Sequence, residues 1–554
     1  MSEIKNNIKE IAKTKVLFYL LIISFISLCL KFYFVDFSIP VNSDNLDYLL
    51  MGISYVNGDF SQSVHRGAGW PLFVSFFYQF IENGNLLDYS NTIRILGISI
   101  STLTIPLMYL VSRKFFDHRY ALLSAGLLAF EPHLNYNSTF GLSESIFLVT
   151  VLFSFYFLLN KNSKFIIPSL LIAGFAWWIK LDGFFIFLII SVTYLIMFRK
   201  KKNWIRNFIF GIIVFSLIVS PILIQKNEQF GDPFYSYYND KMFAGSYEDL
   251  ASENTGYSNA SASAYIEKNG VFSFIENFIL KGLYNIFQLL IRISFPYLMI
   301  LIPFGIFFSF RAFDQDNQYV KTNWIFLLLA MGSMIITLSI IAERRYLFYL
   351  LPYFIIFSII PIQRVTEYGL NTFSFTRKQK DIFLIIVTSI ALCLSIYFIV
   401  YHYESNDTEF ENEKLFLSEF IIQNLDGKLM RDFGPSTEYI NYKLIIAEPE
   451  KFKEFTNSKG LEYIINENVS KVDFTFISGE SVKDVIEKGK EFELKYIVVY
   501  KNNNVFHEFF SDVYLNEEKY PFLIKIFDSN DHNFTKIEVK IFEINYNKFN
   551  DTQK

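Results

Sequence analysis

Two carboxylates follow the first long apolar run of the chain. The run extends from Val16 to Val35 after a lysine-rich N-terminus, and Asp44 and Asp47 lie shortly beyond it. About 20 apolar residues are enough to cross a bilayer, so both acids are predicted to stand at a membrane surface. A carboxylate held there is suited to act as a base on a head group carried by a lipid. The structural alternative is a pair of solvated loop acids, or acids paired with lysine or arginine.

A later segment of the same loop combines an arginine with turn-forming residues. Between His65 and Pro71 the chain contains Arg66, two glycines and Trp70. Glycine and proline around a tryptophan predict a tight backbone turn at the membrane interface. The planar guanidinium of Arg66 can bind a phosphate or a carboxylate through two hydrogen bonds.

Two more polar positions adjoin predicted membrane spans. Glu144 begins the fourth apolar run, and ionisable residues at such depth usually face a cavity or a partner. The alternative is a helix start, with Ser143 as the cap and Glu144 favoured by the helix dipole. Lys180 and Asp182 lie in a tight turn that ends at Gly183. They are candidates for substrate binding, and an ion pair across the turn is the alternative.

A charged segment also separates the ninth and tenth apolar runs. It consists of Glu343, Arg344, Arg345 and Tyr346. Arginine fits a phosphate clamp because its guanidinium binds phosphate oxygens in pairs. The alternative is that these arginines extend to lipid head groups.

The composition predicts a protein that crosses the membrane many times. Of 554 residues, 52% are hydrophobic and 19% aromatic, and the mean hydropathy is +0.29. The net charge of −4 provides no basic field for nucleic acid. Cys29 and Cys393 both lie in predicted spans and indicate neither a disulfide framework nor a zinc site.

About eleven spans and their orientation follow from the apolar runs and the basic clusters. Clusters of Lys and Arg before span one, after spans two and six, and before the last span all fall on one side if the N-terminus is cytoplasmic. The loops 36–93 and 226–289 and the tail 403–554 then lie outside. The twelve apolar residues from Trp70 to Ile81 predict an interfacial helix. The predicted spans are 16–35, 94–112, 120–133, 144–160, 165–180, 183–198, 206–225, 290–310, 323–342, 346–363 and 381–402.

The composition changes after His402. Phe416–Leu425 and Val482–Glu491 have helical patterns, whereas Tyr496–Tyr500 and Lys536–Ile544 have strand patterns. We therefore expect two domains. Residues 1–402 form an all-α membrane bundle, and residues 403–554 form a small soluble α/β domain.

Together these motifs resemble the GT-C glycosyltransferases, which use polyprenyl-phosphate sugars. The likeness is to the family-39 branch, which contains protein O-mannosyltransferases and the lipid A aminoarabinose transferase. That branch carries Asp-Glu-x-x-Tyr after span one, where this chain has Asp44, Asn45 and Tyr48. Asn45 cannot act as a base, so the work of a second carboxylate is absent or has moved to Asp47. Oligosaccharyltransferases carry Trp-Trp-Asp-x-Gly in an outer domain, whereas Trp177-Trp178 lies in a predicted span.

The other motifs follow in the order of that branch. An Arg-x-Pro-Gly-Tyr-Pro-like segment corresponds to residues 66–71, and a glutamate at the start of a span corresponds to Glu144. A basic-x-acidic-Gly turn corresponds to residues 180–183, and Arg-Tyr before a proline-containing span corresponds to Arg345 and Tyr346. The resemblance covers roughly residues 16–363.

The resemblance implies a transferase that moves one hexose or pentose with inversion. The donor would be a polyprenyl- or dolichyl-phosphate sugar, and the acceptor a hydroxyl of a protein, lipid or glycan. Asp44 would be the general base, and Arg345, with Arg66 or Lys180, would stabilise the leaving phosphate. These two functions require Asp44 and Arg345 to share one cavity. The predicted substrate-binding residues are Asp47, Tyr48, Arg66, Glu144, Lys180, Asp182, Arg344, Arg345 and Tyr346.

The resemblance implies no obligatory metal, although a divalent cation at the phosphate stays open. The predicted location is the plasma membrane, with the active site and the C-terminal domain outside the cytoplasm. A flippase or transporter of lipid-linked glycans, or an O-antigen-type polymerase or ligase, is the alternative. A transporter would more often show inverted repeats and helices broken at mid-membrane. The sugar and the acceptor stay open.

Overall fold

The fold is described from a computed structural model. It describes residues 15–39, 41, 43–56, 58, 60, 66–81, 86–235, 242–245, 261–310, 317–402, 408–430, 472–502, 504 and 507–552. The first lysines of the N-terminal cluster and His65 lie outside these residues.

The first part of the described chain is helical and apolar. Six of its helices are long and apolar enough to cross a membrane: Val16–Phe34, Leu87–Ser112, Trp204–Phe230, Ala262–Ser294, Arg344–Thr372 and Arg377–Tyr401. Shorter apolar helices are Glu144–Leu158, Ser163–Ile179, Gly183–Phe198 and Leu298–Ser309. Further helices are Ser43–Val56, Gly69–Tyr78, His118–Ala129, Pro132–Ser138, Asn317–Ser333 and Ile335–Ile340. These helices support a multi-pass membrane protein, while the count of about eleven spans and their orientation stay predictions.

Two sequence predictions in the middle of the chain are wrong. The predicted loop 226–289 contains a helical run from Ala262 to Ser294, which kinks at Gly270 (φ 84°). Its last part buries only one face, so no continuous apolar stretch marks it in the sequence. The predicted span 290–310 is two helices that break at Phe295, because the residue before a proline favours an extended backbone.

A helix, Gly69–Tyr78, is found where the interfacial helix was predicted, while its place in the membrane interface stays a prediction. Trp70, Val74 and Tyr78 recur every four residues and are buried, whereas Phe73 and Phe76 on the other side are exposed. A helix with one packed face and one exposed apolar face suits a position in the membrane interface.

The helix Ile166–Ile179 is the centre of the packing around the polar turn at Lys180. It packs against Trp204–Phe230, Glu144–Leu158 and Gly183–Phe198, and also against the interfacial helix Gly69–Tyr78. Its C-terminal end therefore holds the Lys180 turn beside the segment that contains Gly67 and Gly69.

The C-terminal part contains a five-stranded mixed sheet. The strands are β1 (Gly427–Met430), β2 (Val472–Thr475), β3 (Leu494–Tyr500), β4 (Leu523–Asp528) and β5 (Val539–Ile544). Their order is β2-β1-β3-β5-β4; β1 is parallel to β2 and β3, and β5 is antiparallel to β3 and β4. The helices of this part are Thr408–Asn424, Val482–Glu491, Phe510–Leu515 and Tyr546–Thr552.

Both faces of this sheet are covered. Along β3, Tyr496 and Val498 share a core with the helix Thr408–Asn424, while Ile497 and Val499 face the core of Val482–Glu491. This alternation follows from the two-residue period of a strand. The predicted helices and strands of the tail are confirmed, whereas the domain boundary at residue 403 stays a prediction.

Candidate functional site

A cavity of about 650 Å³ is lined by residues of the segment that contains Asp44, of the turn at Lys180 and of the segment that contains Arg345. Its lining combines charged side chains with apolar and aromatic ones. The charged residues that line it are Asp44, Arg66, Glu144, Lys180, Asp182, Lys226 and Arg345. The apolar lining includes Trp177, Phe184, Phe185, Ile222, Leu223, Phe234, Met242, Phe243, Ile336 and Ile341.

Asp44 is held by two arginines from distant parts of the sequence. Its Oδ2 lies 2.6 Å from Nη1 of Arg345, and its Oδ1 accepts a hydrogen bond from Nη2 of Arg66. Arg66 also contacts Asp47 at 3.1 Å, and Arg345 pairs with Glu343. Burial alone would raise the pKa of Asp44, but the two guanidinium groups outweigh it and hold the pKa below its usual range. The predicted meeting of Asp44 and Arg345 in one cavity is therefore observed.

The two glycines after Arg66 explain how that arginine reaches Asp44. A side chain at Gly67 would clash with the carbonyl oxygen of Ile179, and one at Gly69 would lie 2.8 Å from the backbone of Trp178. Because both positions lack a side chain, the loop packs directly on the end of the helix Ile166–Ile179. Trp70 anchors the segment by donating a hydrogen bond of 2.8 Å to the carbonyl of Gly141.

Tyr48 lies in the predicted site and contacts Ser143. The hydroxyl groups of the two residues lie 3.0 Å apart, and Tyr48 lines the cavity. Ser143 makes no side-chain capping bond to the helix Glu144–Leu158. The interpretation of Ser143 as a helix cap is therefore wrong, because its hydroxyl is used to hold Tyr48.

Glu144 and Lys180 form a buried ion pair on the cavity wall. Nζ of Lys180 lies 2.7 Å from Oε1 of Glu144, and Glu144 is 7% exposed. The alternative of an ion pair across the Lys180–Gly183 turn is wrong, because Lys180 reaches another helix instead. Within the described part of the chain, Oε2 of Glu144 is buried and has no hydrogen-bond partner. This oxygen is therefore a buried acceptor that the described residues leave uncompensated.

Asp182 differs from the other carboxylates of the cavity. Burial raises its pKa; Lys180 lowers it and Glu144 raises it further. No cation of the described residues lies within ion-pair distance of its carboxylate, so Asp182 can accept a hydroxyl or amine of a ligand.

Of the remaining predicted residues, Tyr346 lines the cavity and the others do not. Tyr346 lines the cavity, with the ammonium of Lys180 5.5 Å and the guanidinium of Arg345 5.7 Å from its ring centre. Asp47 and Arg344 are not among the lining residues: Asp47 supports Arg66, and Arg344 is exposed. Asn45 is buried at 6% exposure behind Asp44.

Sequence reasoning missed Lys226 and Glu343. Lys226 lines the cavity near the C-terminal end of the helix Trp204–Phe230 and is 5% exposed. A lysine at the predicted outer end of a span runs against the positive-inside tendency, and that signal could have identified it. Glu343 holds Arg345, but an exposed acid beside two arginines carries little signal of its own. No group of three or more metal-ligating side chains occurs in the part of the chain that the structure describes.

The arrangement of helices is similar to that of two membrane proteins of known structure. The archaeal oligosaccharyltransferase AglB of Archaeoglobus fulgidus, with an inhibitory peptide and a dolichol-phosphate, aligns with a TM-score of 0.58 and 12% identity, over 91% of this chain and 71% of AglB. ArnT of Cupriavidus metallidurans bound to undecaprenyl phosphate aligns with a TM-score of 0.50 and 10% identity, over 94% of this chain and 97% of ArnT. At identities of 12% and 10%, the two comparisons show a similar fold only.

The sequence adds a family match to this likeness of fold. Residues 70–224 match the family described as dolichyl-phosphate-mannose-protein mannosyltransferase. The resemblance predicted from the motifs is thereby confirmed, and the matched segment contains Glu144, Lys180 and Asp182. Curated proteins give no significant match.

Proposed function

We propose that the protein is a membrane glycosyltransferase that moves one sugar from a polyprenyl- or dolichyl-phosphate to a hydroxyl acceptor. The observation that carries the proposal is the cavity, whose lining combines carboxylates and cations with apolar and aromatic side chains. A lipid-linked sugar needs both kinds of side chain, because its sugar and phosphate are polar and its chain is apolar. The family match and the two structural neighbours support the same class of substrate.

The reaction is a single displacement at the anomeric carbon. The acceptor oxygen attacks C1, the bond between C1 and the phosphate oxygen breaks, and polyprenyl phosphate leaves with the bonding electrons. The acceptor proton passes to Asp44, which is ionised because its pKa lies below the usual range. One displacement inverts the configuration at C1.

The groups around Asp44 have separate roles in this proposal. Arg66 and Arg345 fix both carboxylate oxygens, so the base is oriented before the substrates arrive. The unpartnered Oε2 of Glu144 and the carboxylate of Asp182 accept sugar hydroxyls. Tyr346 packs against the two cations that neighbour these acids.

A transfer assay with the full-length protein in nanodiscs tests the proposal. The protein is incubated with a panel of polyprenyl- and dolichyl-phosphate sugars and a membrane extract as the acceptor. Mass spectrometry then follows release of the lipid phosphate and the gain of one sugar residue. Asp44→Asn should slow transfer about 10²- to 10⁴-fold, the usual contribution of a general base.

The control variant is Asp88→Asn, an exposed acid in the first turn of the helix Leu86–Ser112. It should transfer at the wild-type rate. Near-normal transfer by Asp44→Asn would contradict the role of Asp44 as the general base. Movement of the lipid-linked sugar across the bilayer without sugar transfer would contradict the proposed function and favour a flippase.

A further inference from the structure

Lys226 is a buried cation of the cavity that has no role in the reaction proposed above. Its ammonium donates a hydrogen bond of 2.9 Å to the backbone carbonyl of Tyr235. Gly231, at φ 75°, ends the helix and turns the chain back so that Tyr235 lies over the lysine. An ammonium has three donors, and this carbonyl uses one of them. Among the described acids, Asp232 acts electrostatically on Lys226, but its Oδ1 accepts from the backbone N–H of Phe234 at 2.9 Å.

The other cations of the cavity are neutralised by carboxylates. Arg66 pairs with Asp44 and Asp47, Arg345 pairs with Asp44 and Glu343, and Lys180 pairs with Glu144. Among the described residues that line the cavity, Lys226 is the one cation with no carboxylate within ion-pair distance. An anion that binds Lys226 therefore competes with none of the described carboxylates, whereas at each of the other three cations it competes with at least one.

The surroundings of Lys226 fit the phosphate of a lipid. Trp177 and Phe234 line the same cavity, with ring centres 6.2 Å apart, and Ile222 and Leu223 precede Lys226 on its own helix. An ammonium in such surroundings is poorly hydrated, so its attraction to an anionic ligand is screened less than it would be in water. A polyprenyl phosphate has its anion directly at the end of an apolar chain, which matches a lone cation within an apolar surface.

We infer that Lys226 binds the phosphate of the polyprenyl-phosphate donor and stabilises it as the leaving group. The inference rests on the proposed function and assigns the phosphate to a residue other than Arg345. The sugar then extends from Lys226 towards Glu144, Asp182 and Asp44. The arginines at Asp44 keep their carboxylates and position the base.

Direct binding of undecaprenyl phosphate to the full-length protein in nanodiscs tests this assignment. The variant Lys226→Met removes the charge and keeps the length of the side chain, and Lys226→Arg restores the charge. Lys31→Met is the matched control, because Lys31 is also a buried lysine of a long helix, bonded to Ser27 at 2.9 Å, and does not line the cavity. Undecaprenol, inorganic phosphate and excess phosphatidylglycerol are compared as ligands or competitors.

The expected result is a 10- to 100-fold weaker binding of undecaprenyl phosphate by Lys226→Met, as for the loss of a hydrogen-bonded charge. Lys226→Arg and Lys31→Met should stay within a few-fold of the wild type, and Lys226→Met should not alter binding of undecaprenol. Unchanged binding by Lys226→Met, or an equal loss in Lys31→Met, would overturn the inference and leave the proposed function intact. Competition by phosphatidylglycerol or inorganic phosphate at concentrations similar to that of undecaprenyl phosphate would also overturn it. A wild-type protein that binds neither undecaprenyl phosphate nor dolichyl phosphate would overturn both the inference and the proposed function.

Discussion

Two glutamates, one in the membrane part and one in the C-terminal part, are buried to the same degree and serve different purposes. Glu144 and Glu413 are each 7% exposed. Glu413 accepts hydrogen bonds from the backbone N–H groups of Thr535 at 2.6 Å, Lys536 at 3.0 Å and Ile537 at 2.7 Å, which use both of its oxygens. Glu144 has one oxygen on Lys180 and one that lacks a partner in the described structure.

The difference shows how a buried charge can be assigned to folding or to binding. A buried carboxylate is costly unless hydrogen bonds compensate it. At Glu413 the protein itself supplies the full compensation, and the helix Thr408–Asn424 is joined to the segment before β5. At Glu144 the compensation is incomplete, and the unpaired oxygen belongs to a residue that lines a cavity. A ligand can complete it.

The largest structural effect is expected for Glu413→Gln. The amide keeps one acceptor but directs an N–H group at backbone donors, so the native state should lose about 3 kcal/mol. Hydrogen exchange of the β5 amides in the full-length protein should become about 100-fold faster. Sugar transfer should stay within a few-fold of the wild type. Unchanged exchange in β5 would show that the bonds to Glu413 contribute no stability.

Glu144→Gln should give the opposite result. Its amide oxygen can still accept from Lys180, but the free acceptor is lost, so transfer should fall about 10- to 100-fold, as for one hydrogen bond to a charged group. Hydrogen exchange of β5 should not change. If this variant keeps full activity, the unpaired oxygen of Glu144 does not bind substrate, and the contrast with Glu413 fails.

The smallest effect at neutral pH is expected for Arg66→Gln. Transfer requires ionised Asp44, and Arg66 is one of the groups that lower the pKa of Asp44. Removing Arg66 therefore raises this pKa, so the acid limb of the profile of kcat/KM against pH should move to higher pH. At pH 7 the loss should be about tenfold, the low end of the range for a hydrogen bond to a charged group, because Arg345 still holds Asp44.

The control for this pH profile is Arg344→Gln. Arg344 was predicted to bind substrate, but it is exposed and does not line the cavity. The acid limb of the pH profile of Arg344→Gln should coincide with that of the wild type. An identical shift in both variants would mean that general surface charge, and not the contact with Arg66, controls the pKa of Asp44.

Much of the fold was predictable because it depends on local patterns. Apolar length identified helices such as Val16–Phe34 and Arg377–His402, and the run of β-branched and aromatic residues Tyr496–Tyr500 identified β3. The helical run from Ala262 to Ser294 was missed because its last part is apolar on one face only. The break at Phe295 was missed because the apolar composition continues on both sides of it.

The residues of the site were easier to predict from the sequence than the contacts between them. Asp44, Arg66, Glu144, Lys180, Asp182, Arg345 and Tyr346 were all selected from the sequence, and all line the cavity. Sequence spacing could not show that Lys180 reaches Glu144, or that Ser143 bonds Tyr48, because these contacts join separate helices. Lys226 was overlooked because it lies alone at the end of an apolar run.

The sequence by itself determined that the chain is a multi-helix membrane protein with a tail of helices and strands, and which polar residues interrupt its apolar runs. Hydrophobic length and periodicity are local properties, so they need no knowledge of neighbours. The tertiary structure alone decided which charges neutralise each other and which stay available to a ligand. That outcome depends on distances of a few ångströms between residues hundreds of positions apart, such as Asp44 and Arg345.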